Sequence, residues 1–269
     1  MMLLETQWVL SFLVLGAFVG FMAGLLGIGG GGIMVPVLTT IFIYQGTPVE
    51  KVIHLALGTS MASIIVTSLS SMRAHNAKGA VVWNIVKIMS LGIILGTFVA
   101  TFIAVNTRPL YLALFFSLFM AYVSSQMFLD KKPKASRKLA GSVGLLCAGS
   151  GIGAVSALVS IGGGSLTVPY LVWQNVDIKK AIGTSAAIGF PISIAGTAGY
   201  VMNGWTVTSG SEYTFGFVYA PAVLLISAAS FITAPYGARL AHKIPVASLK
   251  KIFAFLLILL SLKMLFSVL

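Results

Sequence analysis

The sequence has one cysteine and five acidic residues in 269. A single thiol, Cys147, excludes an internal disulfide, a thiolate zinc cluster and a two-thiol relay. In its apolar run it reads as a small packing residue. The acids are Glu5, Glu50, Asp130, Asp177 and Glu212, each near a gap or a terminus. No carboxylate stands in the middle of a span, so the usual intramembrane proton or cation relay is not provided for. Ser/His/Asp sets, paired carboxylates and metal-spaced histidines are also lacking. That argues against an enzyme and implies neither a cofactor nor a metal. Glycine shows no three-residue period, which excludes collagen, and the long apolar runs lack the alternation of a β-barrel.

Charge of either sign is scarce: 8% of residues, against about 25% in an ordinary soluble domain. What is there instead is apolar. Hydrophobic residues make up 58% of the chain, and the mean hydropathy is +1.03. Such a chain is an integral membrane protein. A bilayer core about 30 Å thick needs roughly 20 apolar helical residues. Trp8–Gly27, Ile53–Met72, Val81–Val105, Leu110–Leu129, Leu139–Ser160 and Ala181–Met202 meet that length. Tyr213–Leu240 is long but carries Pro221 and Pro235, which predict a kink or break. Ile252–Leu269 closes the chain. Ile33–Tyr44 and Ser165–Gln174 are too short to span and each follows a glycine cluster, so both read as half-helices.

The chain is an internal duplication. Gly20–Leu38 and Gly153–Leu171 are identical at nine of 19 positions, including Ile-Gly-Gly-Gly and Val-Pro. Downstream, Ala56-Leu57-Gly58-Thr59-Ser60 matches Ala181-Ile182-Gly183-Thr184-Ser185, and Gly79 falls opposite Gly204 at the same offset. The fold class expected is an all-α integral membrane protein of two repeats, residues 1–130 and 139–269. Each repeat holds long transmembrane helices and a glycine-broken half-helix. The basic stretch 131–138 joins them on the cytoplasmic side.

Positive charge sets the orientation. Lys and Arg outnumber Asp and Glu by 17 to 5, and they sit in short gaps between apolar runs rather than on a soluble basic face. That excludes nucleic acid as a partner and fits the positive-inside rule. With the segments numbered one to ten, the rich gaps follow segments three, five, seven and nine. Arg73 and Lys78 fill the first, Lys131, Lys132, Lys134, Arg137 and Lys138 the second, Lys179 and Lys180 the third, and Arg239, Lys243, Lys250 and Lys251 the last. These share a side only if each half makes an odd number of crossings. The repeats are then inverted, and both termini lie in the periplasm.

The glycine clusters carry the functional expectation. Backbone that leaves a helix inside an apolar medium persists only where protein or a water-filled cavity receives its polar groups. A half-helix starting there aims free N–H groups and its positive dipole end into that space. Glycine admits a ligand because no Cβ blocks the approach. Gly29, Gly30, Gly31 and Gly32 in one half, with Gly162, Gly163, Gly164 and Ser165 in the other, are therefore candidate anion-binding positions, as in broken-helix transporters. Pro36 and Pro169 are expected in the first turn of each half-helix. Thr59, Ser60, Thr184 and Ser185 are expected in the first turns of the following helices, with hydroxyls able to donate to the same anion. The competing reading has those hydroxyls bonded to their own backbone or to an adjacent helix. Arg73 and His75 would draw anions to the cytoplasmic mouth or simply fix topology; His54, near a helix end, reads as interfacial. Gly16, Gly20 and Gly24, spaced by four, read as a packing face. Gly27-x-Gly29-x-x-Gly32 matches a dinucleotide fingerprint, but a long apolar helix precedes it instead of a strand.

The Ala23–Pro36 stretch AGLLGIGGGGIMVP, its echo SALVSIGGGSLTVP at Ser156–Pro169, the two Gly-Thr-Ser motifs and RAHNAKGAVVW at Arg73–Trp83 resemble the sulfite exporter TauE/SafE family of permeases. The resemblance covers nearly the whole chain. It implies a secondary transporter, expected to act as an exporter by alternating access of the two halves. Its substrate would be a small sulfur-containing anion such as sulfite or a sulfonate. Its place would be the bacterial cytoplasmic membrane, with the lipid bilayer as its other partner and a homo-oligomer left open. The family is usually described with four plus four spans, whereas the charge pattern gives an odd number of crossings per half. A different class of function, a membrane assembly protein without substrate, would instead pack the glycine breaks dry.

Overall fold

The computed structural model describes residues 6–26, 30–129, 136–207, 213–240 and 247–268. Among these residues ten helices run in chain order: α1 Thr6–Leu26, α2 Gly31–Tyr44, α3 Val49–Asn76, α4 Trp83–Val105, α5 Pro109–Leu129, α6 Ser142–Val159, α7 Gly164–Trp173, α8 Ile178–Gly204, α9 Ala220–Leu240 and α10 Ala247–Val268. A small antiparallel hairpin, β1 Thr214–Phe215 and β2 Val218–Tyr219, precedes α9. Among the described residues, seven helices are long and apolar enough to cross a bilayer. The ten segments read from the sequence and the ten helices coincide closely.

Several local expectations need correction. The kink or break expected at Pro235 does not interrupt α9, which continues past it. Pro221 falls at the second residue of that helix, where a missing N–H is harmless. Pro36 and Pro169 are each the sixth residue of their short helices, hence in the second turn. The half-helices start earlier than the apolar pattern suggests, α2 by two residues and α7 by one, because each begins on glycine. Cys147 lies exposed on α6 and fills no gap in the interior.

Contacts between helices fix their relative senses. Gly16, Gly20 and Gly24 of α1 abut Ile226, Ser230 and Ala234 of α9, rising together along both chains. Gly92 and Gly96 of α4 abut Leu146 and Ser150 of α6 in the same way. Thr59 meets Tyr219, and Thr67 meets Ser230, so α3 runs with α9. Ala80 faces Gly183 and Thr101 faces Gly199, so the segment leading into α4, and α4 itself, run with α8. Gly58 meets Tyr200 while Ser68 meets Gly189, so α3 and α8 are antiparallel. Thus α1, α3 and α9 point one way and α4, α6 and α8 the other. Since α1 and α3 agree, α2 must run back between them, and α7 likewise between α6 and α8. Each half holds five segments of alternating sense, and the second half starts in the opposite sense to the first. This is compatible with inverted repeats.

The halves interlock. The packing face of α1 is covered by α9 from the other half, and that of α6 by α4. Small residues make both contacts: an added Cβ at Gly20 or Gly24, or at Gly92 or Gly96, would strike the partner's backbone. At the centre lie α3 and α8, whose best apolar windows are 83% and 67% buried against 50% or less for the other spans. Their outer neighbours turn large apolar side chains such as Leu91, Leu95, Val99, Leu224 and Ile232 outward, as a lipid-facing surface requires. One departure from symmetry is clear. α10 and α5 pack on each other, and α10 also covers α2. α7 has no such cover and buries only Gly164, Thr167 and Leu171.

Candidate functional site: two glycine breaks meeting between α3 and α8

The two breaks touch. Gly31, first residue of α2, lies so close to the carbonyl oxygen of Ser160 that no Cβ could fit there. Ser160 closes α6 in the left-handed region at φ 50° and donates its hydroxyl to the Leu57 carbonyl at 3.1 Å. Gly30 and Gly163, at matching alignment positions, both stand at φ 77° as N-caps of the short helices. That conformation needs glycine. Gly29 lies outside the described residues. Gly32 is covered by Leu257 and Met120, so among the glycines expected to face an anion it faces packed side chains instead. Gly162 packs its carbonyl on Gly189 of α8.

No side chain caps either short helix. The Gly163 carbonyl accepts from the amides of Leu166 and Thr167, while those of Gly164 and Ser165 reach no acceptor among the described residues. The hydroxyls of Ser165 and Thr167, in the same first turn, are buried without a hydrogen-bond partner. So are those of Ser60, Ser71 and Ser156. Unpartnered buried hydroxyls cost on the order of 1–3 kcal/mol each. Of these, Ser165 and Thr167 stand at the second break and Ser71 lines the cavity beside it, the kind of exception that a water or a polar ligand explains.

Thr59 and Thr184 each accept a backbone hydrogen bond, which leaves their own O–H free to donate. The Thr59 oxygen accepts the amide N–H of Tyr219, and the Thr184 oxygen accepts that of Val82, both at 3.0 Å. Each threonine thereby holds the segment entering a helix of the other half. Both lie well inside their helices, the eleventh residue of α3 and the seventh of α8, and not in a first turn. The apolar pattern misplaced them because α3 and α8 begin with polar turns, Val49–Lys51 and Ile178–Lys180. Ser185 is fully buried beside Thr184. Arg73 and His75 part company: Arg73 is exposed, while His75 is 1% exposed. His54 is buried too, its Nε2 3.1 Å from the Ala104 carbonyl and its ring against Phe217.

A cavity of about 10 Å³, room for about one water, lies beside the second break. Thr67, Ser68 and Ser71 of α3 line it with Ala23, Gly162, Ala186 and Gly189. The sequence reading missed these three hydroxyls. The available signal was the density of Ser and Thr between Thr59 and Ser71, high for a helix that is otherwise a membrane span.

A polytopic bundle with broken helices facing each other and hydroxyls between them is the architecture of a membrane transport protein. The profile of the sulfite exporter TauE/SafE family matches residues 12–264, and the chain belongs to that family. It is 37% identical over 259 residues to a "probable membrane transporter protein" of Haemophilus influenzae, covering 96% of this chain and 98% of that one. A similarly named protein of Methanocaldococcus jannaschii is 27% identical over 86% of each chain. Another, of Xylella fastidiosa, is 30% identical over 71% of this chain and 75% of its own. No solved structure matches the chain.

Proposed function

We propose that this protein is a secondary transporter moving a small sulfur-containing anion, such as sulfite or a sulfonate, across the cytoplasmic membrane by alternating access. The observation that carries this reading is the first turn of α7. Two unclaimed amides, Gly164 and Ser165, stand there with two unpartnered hydroxyls, Ser165 and Thr167, a few residues beyond Ser160, whose carbonyl meets Gly31. Amide and hydroxyl donors at a helix N-terminus replace part of an oxyanion's hydration without a fixed cation. Binding stays weak enough for release, as transport requires. The basic gaps support a cytoplasmic linker at 131–138 and periplasmic termini, with residues 1–130 and 139–269 as the two repeats. Export is the direction the family description suggests.

The test is thermal unfolding of detergent-purified protein against sulfite, sulfate, thiosulfate, sulfoacetate, taurine, acetate and chloride at fixed ionic strength. A ligand of the folded state raises stability by mass action. The expected result is a saturable rise for a sulfur oxyanion that Thr167→Val abolishes, together with uptake of that anion into proteoliposomes. Absence of flux for every anion, from protein that stays monodisperse, would favour the assembly reading instead.

A further inference from the structure

The cavity has no matching lining in the other half among the described residues. The Gly-Thr-Ser motifs of α3 and α8 align at a fixed offset, Thr59 with Thr184, so every cavity residue on these two helices has a counterpart on the other. Ala186 and Gly189, which leave the space, correspond to Met61 and Ile64. Thr67 and Ser71, which line it with oxygen, correspond to Ile192 and Gly196. Ser68 corresponds to Ser193. At the counterpart place, among the described residues, large apolar side chains stand. Met61 lies along Gly196, its sulfur 3.0 Å from where a Cβ would stand there. Ile64 reaches the position of a Cβ on Gly31 to 3.3 Å, and Ile192 that on Gly163 to 2.7 Å. Met61, Ile64 and Ile192 are each fully buried. One side of the breaks is therefore small and hydroxylic, and the other is large and apolar. The hydroxylic side is the one toward Arg73, two residues beyond Ser71 on α3.

We infer that Thr67, Ser68 and Ser71 form an entry subsite for the anion on the face bearing Arg73, and that Met61, with Ile64 and Ile192, is the gate that closes the opposite face. The inference rests on the transport reading. Ser71 supplies the polar group: 3% exposed, without a partner for its hydroxyl, and on the cavity wall. Methionine suits a gate because its unbranched thioether changes rotamer at little cost. A hydroxyl-lined cavity on one side and packed apolar side chains on the other suit one half of an alternating cycle, and the apolar plug is what must move to complete it.

The experiment uses the pair Ser68→Cys and Ser193→Cys in a Cys147→Ser background, which removes the only native thiol. Sealed vesicles of both orientations are treated with a membrane-impermeant, anionic methanethiosulfonate. Ser68→Cys is expected to react only from the face carrying Arg73. Ser193→Cys is expected to react at least about tenfold more slowly, since a minor state is populated at roughly 10% or less. Adding Met61→Ala, the residue found at counterpart position 186, should make Ser193→Cys react from the opposite face, while Met61→Leu should not. Equal reactivity of the two cysteines, or labelling of Ser193→Cys unchanged by Met61→Ala in protein that elutes as a single folded species, overturns the gate. Labelling needs no substrate, so absence of flux with the labelling pattern intact would count against the transport reading alone.

Discussion

Single atoms decide the central contact. Gly31 has ordinary backbone angles, yet a Cβ there would run into the Ser160 carbonyl. Gly46 is the converse, with φ 81° and open space around it. Gly151 has neither constraint. Alanine at each position should therefore separate steric from conformational cost in thermal unfolding. Gly151→Ala should stay within about 0.5 kcal/mol, Gly46→Ala should lose about 1–2 kcal/mol, and Gly31→Ala should lose more than either because backbone must shift. The two threonines give a second residue-scale expectation. Thr59→Val or Thr184→Val keeps shape but strips the acceptor from an amide, costing about 1–3 kcal/mol; serine at the same place should restore most of it. A ranking in which valine is harmless would remove these hydroxyls from the structural frame and return them to the ligand. The motif spacing in the sequence located both threonines, but their partners, Tyr219 and Val82, lie far away in the chain and belong to the opposite half.

Elements were easier to read than their ends. Hydropathy found all ten segments because a span must be apolar along its full length. Their starts were misplaced wherever the first turn was glycine or polar, as in α2, α7, α3 and α8. The hairpin before α9 left no signal, since Thr214–Phe215 and Val218–Tyr219 are two residues each. The small-residue face of α1 was legible from Gly16, Gly20 and Gly24, but not which helix it met. The matching faces of α4 and α6, carried by Gly92, Gly96, Gly149 and Gly153, went unread. Close approach explains their composition: between helices in lipid, packing and not hydrophobic exclusion holds the pair together. Gly20→Leu should force α1 from Ser230 and lower the unfolding temperature sharply. Gly144→Leu, whose only close neighbour is the Ala140 side chain, should shift it far less. Of the site, the glycine caps at 30 and 163 were visible in the sequence. The hydroxyl-lined cavity was not, because it exists only where α3 crosses α8.

Across the whole molecule, neither half completes itself. The strongest packing of α1 and of α6 is with a helix from the other half, so a chain cut within 131–138 should behave distinctively. Residues 1–130 or 139–269 expressed alone should aggregate or be degraded, whereas the two expressed together should assemble and co-purify. Two stable, separate halves would contradict the interlocked arrangement. The same interlocking bears on how access could alternate. A rocking of one repeat against the other would tear both glycine faces apart. A motion that keeps both glycine faces closed would have to carry α1 with α9 and α4 with α6, and to work at the α3–α8 contact where Met61 and the cavity lie.

Interlocking also gives the two pairs different histories during synthesis. When α6 enters the membrane, α4 is already there, since Gly92 precedes its neighbour Leu146 by about 54 residues. α1 must wait: Ser230 is made 210 residues after Gly20. At roughly 5–20 residues per second, that is a delay of about 10–40 s during which the small-residue face of the first helix is turned to lipid or to some other holder. Two like pairs in space thus form at different times, and the first helix is the one that a membrane insertase or chaperone would have to keep unpartnered until the chain is nearly finished.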